Sequence, residues 1–383
     1  MSEGGAQARA SSLPGGSSPA ILSRPSRRPR FALLPRPGSF HEAFEDRALF
    51  YDCFWHHDGQ RVLLVGPPPV NLDYGAIAFR AAGQPLKARF HTSMSVTVTE
   101  LAEVAADARE IEVSFNGEDM VLPIQPGHCE QLRGRRVIFT MNKNNDLRWL
   151  REWALWHARF HGADAIVITD NGSNLYSPGE VAAVLADVPG IASVAVHNWP
   201  HKYGPVDPGV LTNAYWSRFL QIASMSVALR RYGMLAQGML NCDVDELVAT
   251  QSGKSIFDIA AASSGGLVVF RGTWVEAQAE TGSPERPTHR SYQYVHDDHR
   301  KAQSRQRKWA LDPSRQWLQN LHVHPYMHWI EGRPRDAKSM PPDAGYFHFR
   351  GINTNWKRAL VMTPTSETHQ DASLARAFAE LPE

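Results

Sequence analysis

Residues 135–173 read RRVIFTMNKNNDLRWLREWALWHARFHGADAIVITDNGS, and this stretch contains a complete β-α-β pattern. The apolar run at 137–140 predicts a strand, and the apolar residues of 150–160 recur at helical spacing before Gly162, a helix stop signal. A second apolar run at 165–169 predicts the next strand. Because such a unit makes a right-handed parallel crossover, we expect an α/β fold that binds its ligand beyond the carboxyl ends of the strands.

Polar residues stand where these predicted strands end. Asn142 to Asn145 follow the first strand, and Asp170 to Ser173 follow the second. Further along, SPGEVAAVLADV at 177–188 and YWSRFLQIASMSVALRRYG at 215–233 predict helices, IASVAVHNW between them predicts a strand, and a further strand runs into NCDVDELV at 241–248. The sequence therefore predicts that three polar strand ends meet in one crevice.

Asp243 and Asp245, in NCDVDELV, form the only Asp-x-Asp pair of the chain. Paired carboxylates on a turn after a strand suit a divalent cation such as Mn²⁺ or Mg²⁺, although they also suit a helix or turn cap. We expect Asp245 to bind the metal and Asp243 to share it. A late histidine is a reasonable third ligand, and His348 in FHFRG is the first candidate. The other candidates are His322, His324 and His328.

Composition narrows the class of protein. Forty Lys and Arg residues against 39 Asp and Glu residues give a net charge of +1, so no global field attracts nucleic acid. The three cysteines, Cys53, Cys129 and Cys242, show no disulfide or zinc spacing, which favours a reducing cytoplasm. No apolar run reaches the ~20 residues of a membrane span, so we expect no integral membrane segment.

The chain divides into three parts by composition. Residues 1–30 are rich in Ser, Gly, Pro and Arg and predict a disordered basic tail. Residues 31–133 show short β-like runs broken by turns, including the hairpin signal Asn116-Gly117, and predict an antiparallel β-sandwich. The α/β pattern occupies 134–383.

A locally basic stretch covers 286–308. It predicts either a mobile lid whose Lys308 reaches a bound phosphate, or a solvated loop. RNA binding is a weaker alternative, because the aromatic residues that stack on bases are limited to Tyr292 and Tyr294.

Several segments, taken in order, resemble the glycosyltransferases of family 92 and their bacterial, family 2-like relatives in polysaccharide synthesis. The similar segments within about 140–358 are NKNNDLRWLREWALWHARFHGADAIVITDNGS, QIASMSVALRRYG, NCDVDELV, RKWALDPSR and HFRGINTNWK. The matching motif residues are Glu152, Trp153, His157, Asp170, Asn171, Ser173, Gln221, Asp243, Asp245 and Glu246. The histidine segment around His348 is also similar to the metal-binding segment of family 8 transferases. One departure is Asn142-Lys143-Asn144, which stands where these families often have Asn-Glu.

The resemblance implies a Rossmann-like GT-A fold, a nucleotide-sugar donor, a metal such as Mn²⁺ and an inverting mechanism. The acceptor would be a glycan or glycolipid, and the enzyme would be cytoplasmic or peripheral at the inner face of the membrane. The residues expected to bind the nucleotide sugar are Asn142, Asn144, Asp170, Asn171, Ser173, Gln221, Asp243 and Lys308. An inverting transfer needs a carboxylate base, for which Glu276 is the first candidate and Glu285 the second.

Two other classes of function stay open. MLNCDVDELV also resembles the nucleophile strand of haloacid-dehalogenase phosphatases, with Asp243 as nucleophile, Asp245 as acid/base and Asp297-Asp298 as a magnesium pair. Leu247 departs from the residue usual at its position in that family. The third possibility is a non-catalytic carbohydrate-binding protein built on a β-rich first half.

Overall fold

The computed structural model describes residues 10–31, 33–279, 286–354 and 365–382. The first part of the chain contains helix α1, Gly38–Ala43, and a series of short strands. These strands are β1 Ser11–Leu13, β2 Ala20–Ile21, β3 Ala48–Phe50, β4 Asp52–Trp55, β5 Arg61–Gly66, β6 Ala78–Ala81, β7 Gln84–Leu86, β8 Ala88–Thr92, β9 Thr97–Ala102, β10 Glu110–Phe115 and β11 Glu118–Pro123.

The second part of the chain begins with alternating strands and helices. Its first elements are β12 Arg136–Asn142, α2 Leu147–His161, β13 Ala165–Asp170, α3 Pro178–Ala186, β14 Ser193–Asn198, α4 Phe219–Val227, β15 Gly238–Asn241, β16 Glu246–Thr250 and α5 Ile256–Ala262. The remaining elements are β17 Leu267–Val275, β18 Tyr294–His296, α6 His299–Ala302, β19 Gln303–Leu311, β20 His324–Pro325, β21 Ile330–Glu331, β22 Lys338–Ser339, β23 Ala344–Phe349, β24 Thr368–Gln370 and α7 Ala372–Glu380.

The ends of α2 follow from its sequence. Asp146 caps the helix by accepting a hydrogen bond from the Arg148 backbone N–H, which satisfies one of the free donors of the first turn. Gly162 ends it with φ 65°, a left-handed conformation that a residue without Cβ adopts at little cost. Because the helix joins two parallel strands, it makes the crossover that the sequence predicts.

A large mixed sheet forms the centre of the molecule. Its main order is β1-β14-β13-β12-β15-β19-β17-β18-β24, and β23 joins β16 to β17. Neighbouring strands from β1 to β15 pair in parallel, whereas β19 runs antiparallel between β15 and β17. The predicted α/β class is confirmed at this level: the chain combines a large mixed sheet with several antiparallel sheets.

Two four-stranded antiparallel sheets are formed by strands that lie between β1 and β12 in sequence. Their orders are β4-β5-β9-β8 and β11-β10-β6-β7, and one apolar cluster fills the space between them. That cluster includes Val62 and Leu64 from one sheet and Phe79 and Val113 from the other. Alternate residues of β5, such as Leu63, belong to a different cluster that also contains residues of α4 and the large sheet. The first sheet is therefore buried on both faces.

The predicted disordered tail at 1–30 is wrong for residues 10–30. Ser11–Leu13 add a parallel strand beside β14, and Ala20–Ile21 pair with β3. Arg27 is buried, and its guanidinium donates to the carbonyls of Pro68 and Ala48 and to the Tyr74 hydroxyl. Composition misses this order because backbone pairing, the buried Arg27 and the apolar contacts of Ala20 and Leu22 with the cluster between the two small sheets fix a segment that has no apolar core of its own.

Candidate functional site

A cavity of about 500 Å³ opens at the carboxyl ends of β12, β13 and β15. Parallel strands bring their carboxyl ends to one edge of a sheet, which is where α/β proteins commonly bind ligands. The residues that line it are Met141, Asn142, Lys143, Asn145, Asn171, Tyr203, Arg218, Gln221, Asp243, Val244, Asp245, Ile352, Asn353 and Thr354. The candidates Asn142, Asn171, Gln221, Asp243 and Asp245 thus share one cavity.

Asp170 organises the polar residues behind this cavity. Its buried carboxylate accepts hydrogen bonds at 2.6 Å from the Asn142 amide and from the Ser173 hydroxyl. The Ser173 hydroxyl in turn accepts the backbone N–H of Asn144 at 2.9 Å. Asp170, Ser173 and Asn144 therefore hold the asparagine turn in place, while Asn142 is the member of this network that lines the cavity.

Lys308 lies below the Asp-x-Asp turn. Its buried ammonium contacts the Asp243 carboxylate at 2.6 Å and the Glu246 carboxylate at 2.8 Å. Burial alone would lower the pKa of Lys308, but the two carboxylates raise it well above its usual value. The prediction of Lys308 on a mobile lid is wrong, because the residue belongs to β19 between β15 and β17. Its charge is already balanced by two carboxylates.

Asp245, Glu246 and His348 form a group that could hold a metal ion, with ligand atoms within 4.8 Å of one another. The His348 ring Nε2 lies 3.2 Å from Asp245 Oδ2. Glu246 and His348 stand directly opposite each other in the antiparallel pair of β16 and β23, so their side chains point to the same face. This set differs from the predicted Asp243, Asp245 and His348, because Glu246 takes the place of Asp243.

Two buried atoms of this group have no hydrogen-bond partner among the described residues: Glu246 Oε1 and His348 Nδ1, 3.9 Å apart. Burial raises the pKa of Glu246 to about 7, although Lys308 opposes the rise. Orphaned buried acceptors are costly unless something binds them. Carboxylate oxygens and one imidazole nitrogen are suitable ligands for Mn²⁺ or Mg²⁺, so the residues fit a divalent cation.

A stack of three side chains fixes the His348 ring. The Trp274 ring lies parallel to it at 3.8 Å between centroids, and the Arg350 guanidinium covers Trp274 at 4.2 Å. Arg350 Nε donates to the Glu276 carboxylate at 3.2 Å. The base candidate Glu276 is thus joined to the metal group through this stack. The second candidate, Glu285, lies outside the described residues.

Two histidines of α2 hold β16 from behind. The Val248 backbone N–H donates to His157 Nε2 at 3.3 Å, and His161 Nε2 donates to the Val248 carbonyl at 2.8 Å. Burial lowers the pKa of His157 to about 3 and that of His161 to about 4, so both rings are neutral. Because Val248 follows Glu246 by two residues, the pair positions the strand that carries Glu246.

Glu152 supports the turn between the two aspartates. Its carboxylate lies 3.3 Å from His289 Nδ1, and His289 Nε2 donates to the Val244 carbonyl at 2.8 Å. Glu152 also accepts hydrogen bonds from Thr288 and Arg290. The helix residues Glu152 and His157, which the sequence marks only through a family resemblance, therefore both act on the segment 243–248.

The other histidines considered as metal ligands, and the aspartate pair of the phosphatase alternative, do not line this cavity. His328 donates through Nδ1 to the Arg307 carbonyl, and His322 packs edge-on against His91. Asp298 caps α6, and Asp297 contacts His369 at 2.6 Å. Neither aspartate lines the cavity that contains Asp243 and Asp245.

Arg218 is a cavity residue that the sequence analysis missed. Its guanidinium lies over the rings of Tyr203, at 5.3 Å, and Tyr215, at 4.4 Å. Its Nε is buried and has no hydrogen-bond partner in the part of the chain that the structure describes. No local motif marks Arg218, because the tyrosines that orient it are brought together by the loop before α4.

No known protein-family model matches the chain, and comparison with curated proteins gives no significant match. Among the described residues, no helix is both long and apolar enough to cross a membrane.

Proposed function

We propose that the protein is a metal-dependent GT-A glycosyltransferase that transfers a sugar from a nucleotide-sugar donor to a hydroxyl of a glycan or glycolipid in the cytoplasm. The observation that carries this proposal is the position of the Asp245, Glu246 and His348 group. It adjoins an amide-lined cavity at the carboxyl ends of parallel strands. A nucleotide offers a base, a ribose and a diphosphate, and each finds a matching group in this cavity.

Amide side chains would bind the base and the ribose. Asn142 and Asn171 line the cavity, and both are held by hydrogen bonds to residues behind it. The Tyr203 hydroxyl donates to Gln221 Oε1 at 2.6 Å, which leaves the Gln221 NH₂ group for a ligand. Pre-positioned amides of this kind favour nucleotide binding because little side-chain entropy is lost when the ligand arrives.

Arg218 and Lys143 would bind the diphosphate. Both line the cavity, and neither forms an ion pair with a described carboxylate. A guanidinium matches phosphate oxygens in geometry, and the two tyrosines hold that of Arg218 in place. Lys308 is not available for this role, because Asp243 and Glu246 already neutralise it.

Asp245, Glu246 and His348 would hold the cation, with the Trp274 ring keeping His348 in position. A divalent cation in such a site neutralises the charge that develops on a departing diphosphate. For an inverting transfer, Glu276 is the proposed base that accepts the proton of the acceptor hydroxyl. An acceptor bound there would displace Arg350 from the Glu276 carboxylate.

Calorimetric titration of nucleoside diphosphates with and without Mn²⁺ tests the proposal. We expect one nucleotide to bind more tightly with Mn²⁺, and Asp245→Asn to remove that gain by roughly tenfold or more. Asp297→Asn is the matched control, since Asp297 pairs with His369 outside the cavity. Release of nucleoside diphosphate from a nucleotide sugar should follow the same pattern.

The opposite results are equally clear. Absence of nucleotide binding to the wild-type protein in the presence of Mn²⁺ would end the glycosyltransferase proposal. Phosphate release from a simple phosphoester, lost in both Asp245→Asn and Asp297→Asn, would favour the phosphatase alternative.

A further inference from the structure

Large apolar side chains are exposed on three loops beside the cavity. Leu33 is 100% exposed and Leu211 is 96% exposed, although leucine usually contributes to a protein core. The other members are Phe31, Met94, Val206 and Tyr215. We call these six residues the apolar loop surface.

Specific contacts join the three loops into one structure. Arg36 and Asp207 form a buried ion pair at 2.8 Å between the first loop and the third. The Leu34 side chain packs on Gly209, where an added Cβ would come within 2.5 Å of it. The Asn213 amide lies 3.3 Å from the Met94 sulfur. The loops that carry the exposed leucines are therefore held in place by contacts with one another.

The same loops are strongly basic. Residues 24–36 contain five arginines and no acidic residue, and residues 201–218 contain Lys202 and Arg218 against Asp207. Seven basic residues against one acidic residue give these two segments a charge of +6, whereas the whole chain carries +1. Arg24 and Arg28 are exposed on the first segment. These two segments thus place a local excess of positive charge beside the apolar loop surface.

This surface adjoins the cavity. The exposed ring of Tyr215 lies against the Arg218 guanidinium at 4.4 Å, and Arg218 lines the cavity. Tyr203, the other ring that holds Arg218, also lines the cavity. A partner that covers the apolar loops would therefore lie beside the cavity.

We propose that the apolar loop surface docks the protein on an anionic lipid bilayer, so that the cavity receives a lipid-linked acceptor. Apolar side chains at loop tips enter the interface between headgroups and acyl chains, and neighbouring arginines bind lipid phosphates. Fully exposed tips surrounded by positive charge suit a bilayer better than a protein partner, which would offer a matching groove. The acceptor class rests on the proposed function, whereas the docking itself does not.

Vesicle flotation tests the docking. The wild-type protein should float with phosphatidylglycerol-containing vesicles and much less with pure phosphatidylcholine vesicles, and added salt should release it. The double substitution Leu33→Asp and Leu211→Asp should reduce the partition coefficient by roughly tenfold or more. Val121→Asp replaces an exposed apolar residue of β11 in the sandwich and should leave binding unchanged. Melting temperatures would show that each variant is folded.

Each other result overturns the docking proposal. Equal binding to both vesicle types would show that the arginines do not bind anionic lipid. Unchanged binding by the double variant would show that another surface contacts the bilayer. A wild-type dimer that the double substitution dissociates, seen by light scattering, would identify a second copy as the occupant. Nucleotide titration distinguishes this proposal from the proposed enzyme activity. Nucleotide binding without flotation would contradict only membrane docking. Flotation without nucleotide binding would contradict only the transferase proposal.

Discussion

Substitution of Lys308 by methionine tests the central buried charge cluster. Methionine keeps most of the volume of the side chain but removes the ammonium group that contacts Asp243, at 2.6 Å, and Glu246, at 2.8 Å. At an effective dielectric constant of ~20, a charge pair at about 2.8 Å contributes about 6 kcal/mol before desolvation is counted.

The net loss is smaller than this electrostatic term. The Asp243 side chain is 41% exposed, so water compensates for much of its lost partner, whereas Glu246 is fully buried and loses the cation that lowers its pKa. Removal of one partner of a buried ion pair typically costs ~3–5 kcal/mol. We therefore expect Lys308→Met to lower the free energy of unfolding by about 3–5 kcal/mol in the absence of metal.

Urea unfolding in the presence of a chelator measures this loss. Lys301→Met is the matched control, because Lys301 is 57% exposed and pairs with the exposed Glu367. An exposed pair of this kind contributes about 0–1 kcal/mol. If the two substitutions lowered the free energy of unfolding equally, Lys308 would not be a buried structural cation and the reasoning would fail.

Two further predictions concern the phosphate contact and the buried histidines. Arg218→Ala should weaken nucleoside diphosphate binding by roughly 10–100-fold but leave binding of the bare nucleoside unchanged. The exposed Arg133→Ala is the control. Equal losses of affinity for both ligands would contradict the assignment of Arg218 to the diphosphate. The lowered pKa values of His157 and His161 mean that the unfolded chain takes up protons below about pH 6.5 and the folded protein does not, so stability is lost as the pH falls toward 4. Each ring should account for about 2 kcal/mol of the loss of stability between pH 7 and pH 5. Urea unfolding of His157→Gln should therefore show a free energy of unfolding that depends less on pH than that of the wild type. An unchanged pH dependence would refute this prediction.

The β-α-β unit at 135–173 is the part of the fold that the sequence predicts best. Its signals are local: the helical spacing in α2, the Asp146 cap and the Gly162 stop lie within one segment. The grouping of the polar strand ends follows from that unit, because parallel strands must place their carboxyl ends at one edge. Asn142, Asn171 and Asp243 in one cavity were therefore within reach of sequence reasoning.

The details of the acidic group depend on pairings that no local pattern shows. Glu246 replaces Asp243 in the metal group because the register of β16 and β23 places Glu246 opposite His348, about 100 residues later. Lys308 leaves the predicted lid because β19 inserts between β15 and β17. Tertiary packing decides which strands are neighbours and in which register they pair. The basic composition of 286–308 therefore predicted the wrong location for Lys308.

The parallel strand β1 affects the order in which the chain can fold during synthesis. Ser11–Leu13 leave the ribosome about 180 residues before their partners Ser193–Ala195. The nearby Gly16 carbonyl likewise accepts a hydrogen bond from the Arg231 guanidinium, which is synthesised much later. The two antiparallel sheets need only residues up to 123, so they are able to form while the first segment is still unpaired. In a nascent chain β1 would thus stay unpaired beside a folded unit and would join the edge of the central sheet late. The long sequence separation between β1 and β14 limits the rate of this step.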